Sequence, residues 1–230
     1  IYRLYLNGEL YQDGIVSNIS RLINQQLSRM VFTNGFETVK QYRNGSTPMS
    51  FFRNGGANAV VKNVVEALTR DKLTTYGSSN APLRYIFEYR GNNLLDDTCQ
   101  LRRDASQDAW LVKVCQKVDE CMAKARDKYR DRFSLSEVLA PFVQQPFGFF
   151  QTPANFAAIS YALRKYKEDL FIPSTAQPIT EDKLEDMIVL LVKMWDDGAS
   201  NASDKLYLRF GSPEESKLTQ LLKDIFSLGK

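Results

Sequence analysis

Histidine is absent from the 230 residues, which removes the side chain that most often serves as a general base or a zinc ligand. Ser-His-Asp and Cys-His nucleophile systems are therefore excluded. The three cysteines, Cys99, Cys115 and Cys121, are too few for a four-cysteine metal cluster and are typical of a reduced chain. Because Cys115 and Cys121 are six positions apart on a predicted helix, we interpret them as small core residues and not as a redox pair.

Two pairs of adjacent carboxylates, Asp96-Asp97 and Asp196-Asp197, are the residues best suited to hold a hard cation. Adjacent side chains point apart on a helix or strand, so we interpret both pairs as solvated charges at turns or helix ends. The chain contains neither the GxxxxGK[ST] phosphate loop nor the GxGxxG fingerprint. The sequence thus indicates no catalytic residue, no metal ligand and no cofactor, and a metal-dependent carboxylate enzyme is the third-ranked hypothesis.

Basic residues form two clusters that are candidate contacts to nucleic acid. Within the second cluster, like charges stand four positions apart, so the cluster repels itself unless an anion lies alongside. The alternative interpretation is a solvated helix end, where cations also suit the helix dipole. The candidate residues are Arg102 and Arg103 in the first cluster and Lys124, Arg126, Lys128, Arg130 and Arg132 in the second.

Net charge is +3, with an excess of basic residues over positions 1–95 and of acidic residues over 133–230. Docking of the two ends on each other explains this asymmetry as well as a nucleic acid does. The longest apolar stretch, 187–195, is interrupted by Lys193 and is too short to cross a bilayer, and no signal-peptide pattern opens the chain. We expect no membrane partner, a cytoplasmic location, and a domain cut from a larger protein.

Apolar periodicity predicts helices over 14–32, 57–70 and 104–130. Between the first two, three Asn-Gly pairs at intervals of ten residues indicate either a small hairpin or a loop with helix caps over 33–56. Residues 82–92 are typical of a strand that ends in a turn at Gly91.

Helix start signals recur in the last third of the chain. Ser134-x-x-Glu137 matches a capping box, Thr152-Pro153 combines an N-cap with proline at N1, and Ser212-Pro213-Glu214-Glu215 combines both signals. Thr180 precedes another predicted helix, and 204–210 alternates like a strand. These patterns predict a mainly α fold, a multi-helix orthogonal bundle with a few short strands. We divide it into a helical domain over 1–132 and a second helical unit over 133–230, for which a winged-helix-like arrangement and a bundle cap are both open.

Residues 135–170 resemble a segment of very large bacterial P-loop ATPases from phage-defence islands, including the bacteriophage-exclusion type. The corresponding parts are a short amphipathic helix at 134–143, the turn Pro146-Phe147-Gly148, and a helix at 153–167 that starts at a proline. The order of APLRYIFEYRGN upstream and LYLRFGSPEESKL downstream is also similar, so the resemblance covers 81–228. Since no nucleotide-binding loop is present, the resemblance implies a helical module from beyond the ATPase core, with no catalytic residues to carry over.

Together these observations favour a non-catalytic interaction module of a larger ATPase-type protein, with DNA as the expected partner. A second hypothesis is a protein–protein scaffold that docks through the aromatic residues Phe147, Phe149 and Phe150, although such phenylalanines are equally typical of core anchors. A contiguous basic surface would favour the first hypothesis, and an exposed apolar patch would favour the second.

Overall fold

A computed structural model describes residues 2–6, 9–14, 30–35, 56–67, 86–173, 178–197 and 206–226. The fold is mainly helical with a few short strands, as the sequence predicts. Its principal helices are α1 (Gly56–Val65), α2 (Trp110–Lys128), α4 (Pro153–Arg164), α5 (Glu181–Asp197) and α6 (Pro213–Phe226), and the four-residue α3 (Leu135–Val138) precedes a 3-10 turn at Ala140–Phe142.

An antiparallel hairpin of β1 (Tyr2–Leu6) and β2 (Glu9–Gly14) opens the described chain. This hairpin was not predicted, although the sequence has a further Asn-Gly pair at positions 7 and 8. The predicted helix over 14–32 lies outside the described residues except at its two ends, where Gly14 belongs to β2 and residues 30–31 are helical. Most of the 33–56 region also lies outside them.

Helix α4 is the centre of the bundle, and α1, α2 and α5 all pack against it. Every residue of α4 from Pro153 to Leu163 is buried, as expected for a helix that is apolar all round. Four residues of α4 are alanines, and their short side chains let the three neighbouring helices pack close to the α4 backbone. Residues on both sides of the predicted 132/133 boundary belong to this one core, and the division into two units stays a prediction.

Polar groups buried with α4 have partners. The N-cap hydroxyl of Thr152 accepts from the Asn155 backbone N–H at 3.2 Å, which confirms the predicted Thr-Pro start. The Asn155 amide donates to the Phe150 carbonyl at 2.9 Å, and the Ser160 hydroxyl donates to the Phe156 carbonyl at 2.6 Å. Thr152, Asn155 and Ser160 therefore avoid the cost of an unsatisfied polar group.

A three-stranded antiparallel sheet lies at one end of α2, in the order β5 (Phe133–Ser134), β7 (Tyr207–Phe210), β6 (Leu170–Phe171). The central strand β7 lies within the predicted 204–210 strand. Its partners both precede α5 in the chain, so the described C-terminal elements form no wing that follows a recognition helix. This arrangement differs from the winged-helix option, because β7 pairs with β5 and β6, which both come before α5 in the chain.

Helix α6 follows β7 and begins with the predicted capping box. The Ser212 hydroxyl accepts from the Glu215 N–H at 3.2 Å, and the Glu215 carboxylate accepts from the Ser212 N–H at 2.8 Å. The other predicted capping box is wrong. The Ser134 side chain makes no cap hydrogen bond and lies 2.8 Å from the Ser136 hydroxyl, because Ser134 belongs to β5.

Two further predictions are corrected at their boundaries. Helix α2 begins at Trp110 and not at residue 104, because turns occupy 104–109 and the Ala109 N–H bonds the Ser106 carbonyl at 3.0 Å. The predicted strand that ends at Gly91 is the first half of a small hairpin, β3 (Glu88–Tyr89) and β4 (Asn92–Asn93). Arg90 and Gly91 between them both have positive φ, as a tight hairpin turn requires.

The Asn34-Gly35 turn docks on the segment that the resemblance singled out. Asn34 donates its N–H to the Pro146 carbonyl at 2.8 Å, and its own carbonyl accepts from the Trp110 indole at 2.9 Å. Gly148, with φ +61°, lies so close to Phe32 that a Cβ atom there would be 2.2 Å from the ring. Glycine is thus required at this position by both conformation and space. In the described part of the chain, no helix is long and apolar enough to cross a bilayer.

Candidate nucleic-acid interface

The second basic cluster lies along the last turns of α2 and the connection to β5, and the structure supplies anions for its first two members. Lys124 lies 2.5 Å from the Glu120 carboxylate, which also accepts from Lys117 at 2.9 Å. These two hydrogen bonds, that of Lys124 first, lower the pKa of Glu120 to about 2. Arg126 lies 3.1 Å from Asp169, beyond α4. Lys124 and Arg126 therefore already have partners within the chain, which relieves the predicted self-repulsion.

The remaining members, Lys128, Arg130 and Arg132, are exposed at the end of α2 and in the connection to β5. In the described part of the chain, none of the three has a carboxylate at ion-pair distance. Lys128 instead hydrogen-bonds the Tyr129 hydroxyl at 3.0 Å, and the hydrogen bond is the first cause of its raised pKa. The three cations thus keep charge available for an external anion.

Two half-buried tyrosines accompany these cations. The Lys128 ammonium lies 4.7 Å from the centre of the Tyr129 ring, and the Arg132 guanidinium lies 4.9 Å from the centre of the Tyr207 ring. Tyr207 is opposite Ser134 in the β5–β7 register, so both rings lie beside edge strand β5. We call this set of five residues the β5-edge surface: Lys128, Tyr129, Arg130, Arg132 and Tyr207.

Packing beneath the β5-edge surface fixes its geometry. Phe133 of β5 is buried and stacks on Phe210 at 4.7 Å between ring centres, and Tyr129 lies 6.4 Å from Phe133. Arg126 covers the other side of this cluster, 4.8 Å from the centre of the Phe210 ring. The backbone that carries the exposed cations is therefore held by a row of three aromatic rings.

On the same central strand, Arg209 anchors β7 to α6. Its guanidinium makes two hydrogen bonds of 2.8 Å to the Glu215 carboxylate and lies 4.7 Å from the centre of the Phe171 ring. The hydrogen bond from Arg209, followed by that from the Ser212 N–H, lowers the pKa of Glu215 to about 2. This arginine serves the fold, and its charge is neutralised.

The first basic cluster lies elsewhere. Arg102 makes a two-point contact with Asp104 at 2.9 and 2.7 Å, and the first cause of the lowered Asp104 pKa is this hydrogen bond. Arg102 also lines a cleft of about 650 Å³ beside the first half of α2. Arg103 is exposed next to it. The structure therefore does not join the first cluster to the β5-edge surface, which lies at the far end of α2.

The cleft combines apolar walls with polar groups that are already paired. The Arg164 guanidinium donates to the backbone carbonyls of Ala67, at 2.9 Å, and Cys99, and it lies 4.4 Å from the centre of the Tyr161 ring. Tyr161 donates its hydroxyl to the same Cys99 carbonyl at 2.8 Å, and burial raises the pKa of this tyrosine. Lys165 lies 2.6 Å from the Asp119 carboxylate. These contacts connect α4 to the loop at Cys99. Cys99 itself has a positive φ of 60°, which is unusual for a residue other than glycine.

Residues behind the other two hypotheses have structural roles. Asp96 accepts hydrogen bonds from the Thr98 N–H, the Thr98 hydroxyl and the Gln100 N–H at 2.8–2.9 Å, which closes a loop. Groups of three or more potential metal ligands do not occur among the described residues. Phe147 and Phe149 are buried, so they form no docking surface, and Phe150 alone of the three is exposed.

Cysteines lie in the core as predicted, and all three are free thiols. Burial raises the pKa of Cys115 to about 12. A thiol in this environment stays protonated at neutral pH and is a poor nucleophile. The cysteines therefore act as small apolar residues.

Comparisons with known proteins give no relative from which a function could be inferred, so the function is inferred from the geometry of the site. No protein-family model, curated protein or solved structure matches the chain.

Sequence reasoning found the cations of the β5-edge surface but missed its two tyrosines. Tyr129 could have been predicted, since it stands between Lys128 and Arg130 in the sequence. Tyr207 could not have been predicted, because only the β5–β7 pairing brings it to Arg132. Pairing with Glu120 and Asp169, which separates Lys124 and Arg126 from the free cations, was likewise visible only in the fold.

Proposed function

We propose that this chain is a non-catalytic interaction module that binds DNA through the β5-edge surface. The observation that carries the proposal is the placement of Lys128, Arg130 and Arg132, cations without a carboxylate partner in the described structure, beside Tyr129 and Tyr207. Cations of this kind neutralise phosphates, and the released counterions supply most of the affinity.

Single-stranded DNA fits this surface better than a duplex. Aromatic rings bind bases by stacking face to face, and this requires bases that are not already stacked in a double helix. Arginine can contact a phosphate while it stays over an aromatic ring, so Arg132 on Tyr207 combines both interactions in one place. Because the β5-edge surface carries three cations without a carboxylate partner in the described structure, we expect binding in the micromolar range rather than tight binding.

Fluorescence anisotropy tests this proposal with the full chain and two labelled probes, a mixed-sequence single strand of about 20 nucleotides and the corresponding duplex. At about 50 mM salt, where counterion release favours binding, the single strand should bind at micromolar concentrations and more tightly than the duplex. Equal binding of both probes would contradict the stacking component. A flat trace with both probes would contradict the proposal as a whole.

The resemblance over 81–228 supports a place for this module in a larger cytosolic ATPase-type protein of a bacterial defence system. The chain itself has no phosphate loop, so a nucleotide-dependent motor would have to be supplied by another part of the same polypeptide. Peptide mass spectrometry of the polypeptide isolated from its source cells tests this. A product larger than 26.3 kDa with a GxxxxGK[ST] peptide is expected, and a polypeptide without that motif would contradict it.

A further inference from the structure

The cleft beside the first half of α2 has the size of a small-molecule binding site. Its volume of about 650 Å³ lies within the range of about 300–1,000 Å³ that is typical of such sites. The apolar part of its lining includes Val65 of α1, Leu101 of the following loop region, Val112 of α2 and Ala162 of α4. Because several parts of the bundle converge on the cleft, its shape is set by the packing of the core.

Arg164 is the half-buried cation of this cleft. Its guanidinium donates to two backbone carbonyls, those of Ala67 and Cys99, and lies 4.4 Å from the centre of the Tyr161 ring. These partners are electrically neutral, so they fix the position of the guanidinium and leave its charge in place. A partly buried charge without an opposite charge beside it is unfavourable, and an anionic ligand would relieve this cost.

The other cations that line the cleft have carboxylate partners within the chain. Arg102 contacts Asp104, Lys165 contacts Asp119, and Lys167 contacts Glu181. The remaining carboxylate of the lining, Glu168, is also engaged. Arg164 is therefore the one cation of the lining that has no carboxylate at ion-pair distance in the described structure.

We propose that the cleft binds a small organic anion, a molecule with one carboxylate or phosphate group on an apolar body. A guanidinium has five N–H groups, and Arg164 uses two of them for the carbonyls of Ala67 and Cys99, so it retains donors for an oxyanion. The apolar body lies against Val112 and Ala162. Since Arg164 is already held in place, little side-chain freedom is lost when the ligand binds.

Equilibrium dialysis of the full chain tests this with three probes that differ in one group: para-nitrobenzoate, para-nitrophenyl phosphate and the neutral para-nitrobenzamide. Millimolar affinity is expected for ligands this small. At least one of the two anions should bind about tenfold more tightly than the amide, because hydrogen bonds to charged groups are the stronger ones. The better anion identifies the anionic group of the ligand. Absence of binding, or equal binding of the amide and both anions, would overturn the proposal.

Substitutions locate the bound probe. Arg164→Gln removes the cation and should weaken anion binding about tenfold, whereas Arg130→Gln removes an exposed cation of the β5-edge surface and should leave it unchanged. Because Arg164→Gln also loses hydrogen bonds that hold α4, Gln116→Trp is the independent test. Gln116 is exposed and lines the cleft, so an indole there takes up the space of the ligand and binding should be lost. Gln144→Trp is the matched control at an exposed position outside the lining.

Competition separates this site from the β5-edge surface, which lies at the far end of α2. Single-stranded DNA that binds at the β5-edge surface should leave the bound anion in place. Displacement of the anion by DNA would assign Arg164 to the DNA-binding surface and would overturn a separate site, and so would unchanged binding to the Gln116→Trp variant. Binding of the anions without any binding of DNA would support this proposal and contradict the DNA-binding function.

Discussion

The guanidinium of Arg132 lies 4.9 Å from the centre of the Tyr207 ring, which joins the end of α2 to the central strand of the C-terminal sheet. The contact depends on β7 turning back to pair with β5, where Tyr207 is opposite Ser134. A basic helix end, which is common on protein surfaces, thereby gains an aromatic component. This combination is what distinguishes the β5-edge surface from a solvated charge cluster.

Replacing Tyr207 separates stacking from charge. Tyr207→Ala should weaken binding of the single-stranded probe by about 1–3 kcal/mol, roughly five- to 150-fold, because a base loses its stacking partner. Tyr207→Phe keeps the ring and should bind within about twofold of the wild type. Anisotropy with the single strand measures both variants. Equal affinity of the alanine variant and the wild type would show that the ring does not contact bases.

Tyr161 tests the contact between α4 and the Cys99 loop. Tyr161→Phe removes the hydroxyl that donates to the buried Cys99 carbonyl at 2.8 Å, so the free energy of unfolding should fall by about 1 kcal/mol. Tyr166→Phe is the control, because Asp119, which accepts from Tyr166 at 2.7 Å, keeps Lys165 as a partner. Urea unfolding measures both, and a loss for Tyr161→Phe no greater than for Tyr166→Phe would contradict this role.

The contact between Arg209 and Glu215 should be sensitive to acid. The folded pKa of Glu215 is about 2, below its usual 4.5, so ionised Glu215 stabilises the fold above pH 4.5. That stabilisation is lost as pH falls from 4.5 toward 2. Thermal unfolding should therefore show Glu215→Gln below the wild type in Tm at pH 6, with the gap closing near pH 2. A gap that is constant across this range would contradict the assignment.

Local signals in the sequence predicted the helix starts that depend on neighbouring residues. Thr152-Pro153 and Ser212-x-x-Glu215 both form the expected caps, because their partners lie within three positions. Ser134-x-x-Glu137 has the same pattern but fails, since pairing of Ser134 with Tyr207 in the sheet overrides the local preference. Capping boxes are thus reliable only where no long-range pairing competes.

In the candidate site too, features set by neighbouring residues could be predicted from the sequence, and features set by long-range contacts could not. The sequence identified the cations of the β5-edge surface, but it could not separate paired from free cations, because Asp169 reaches Arg126 only through the fold. The same holds for the aromatic residues. Phe147 and Phe149 fill the core beside Phe142, whereas strand pairing brings the half-buried Tyr207 to the β5-edge surface.

The salt dependence of single-stranded DNA binding tests the central claim most directly. Between about 50 and 200 mM salt, the wild type should show a log–log slope of about −2, because three free cations contact phosphates. Arg130→Gln combined with Arg132→Gln should reduce the slope to about −1 and weaken binding throughout the series. Lys124→Gln removes a cation that is already paired with Glu120 and lies outside the β5-edge surface, so it should leave the slope unchanged. The same slope for the double variant and the wild type would contradict DNA binding at the β5-edge surface.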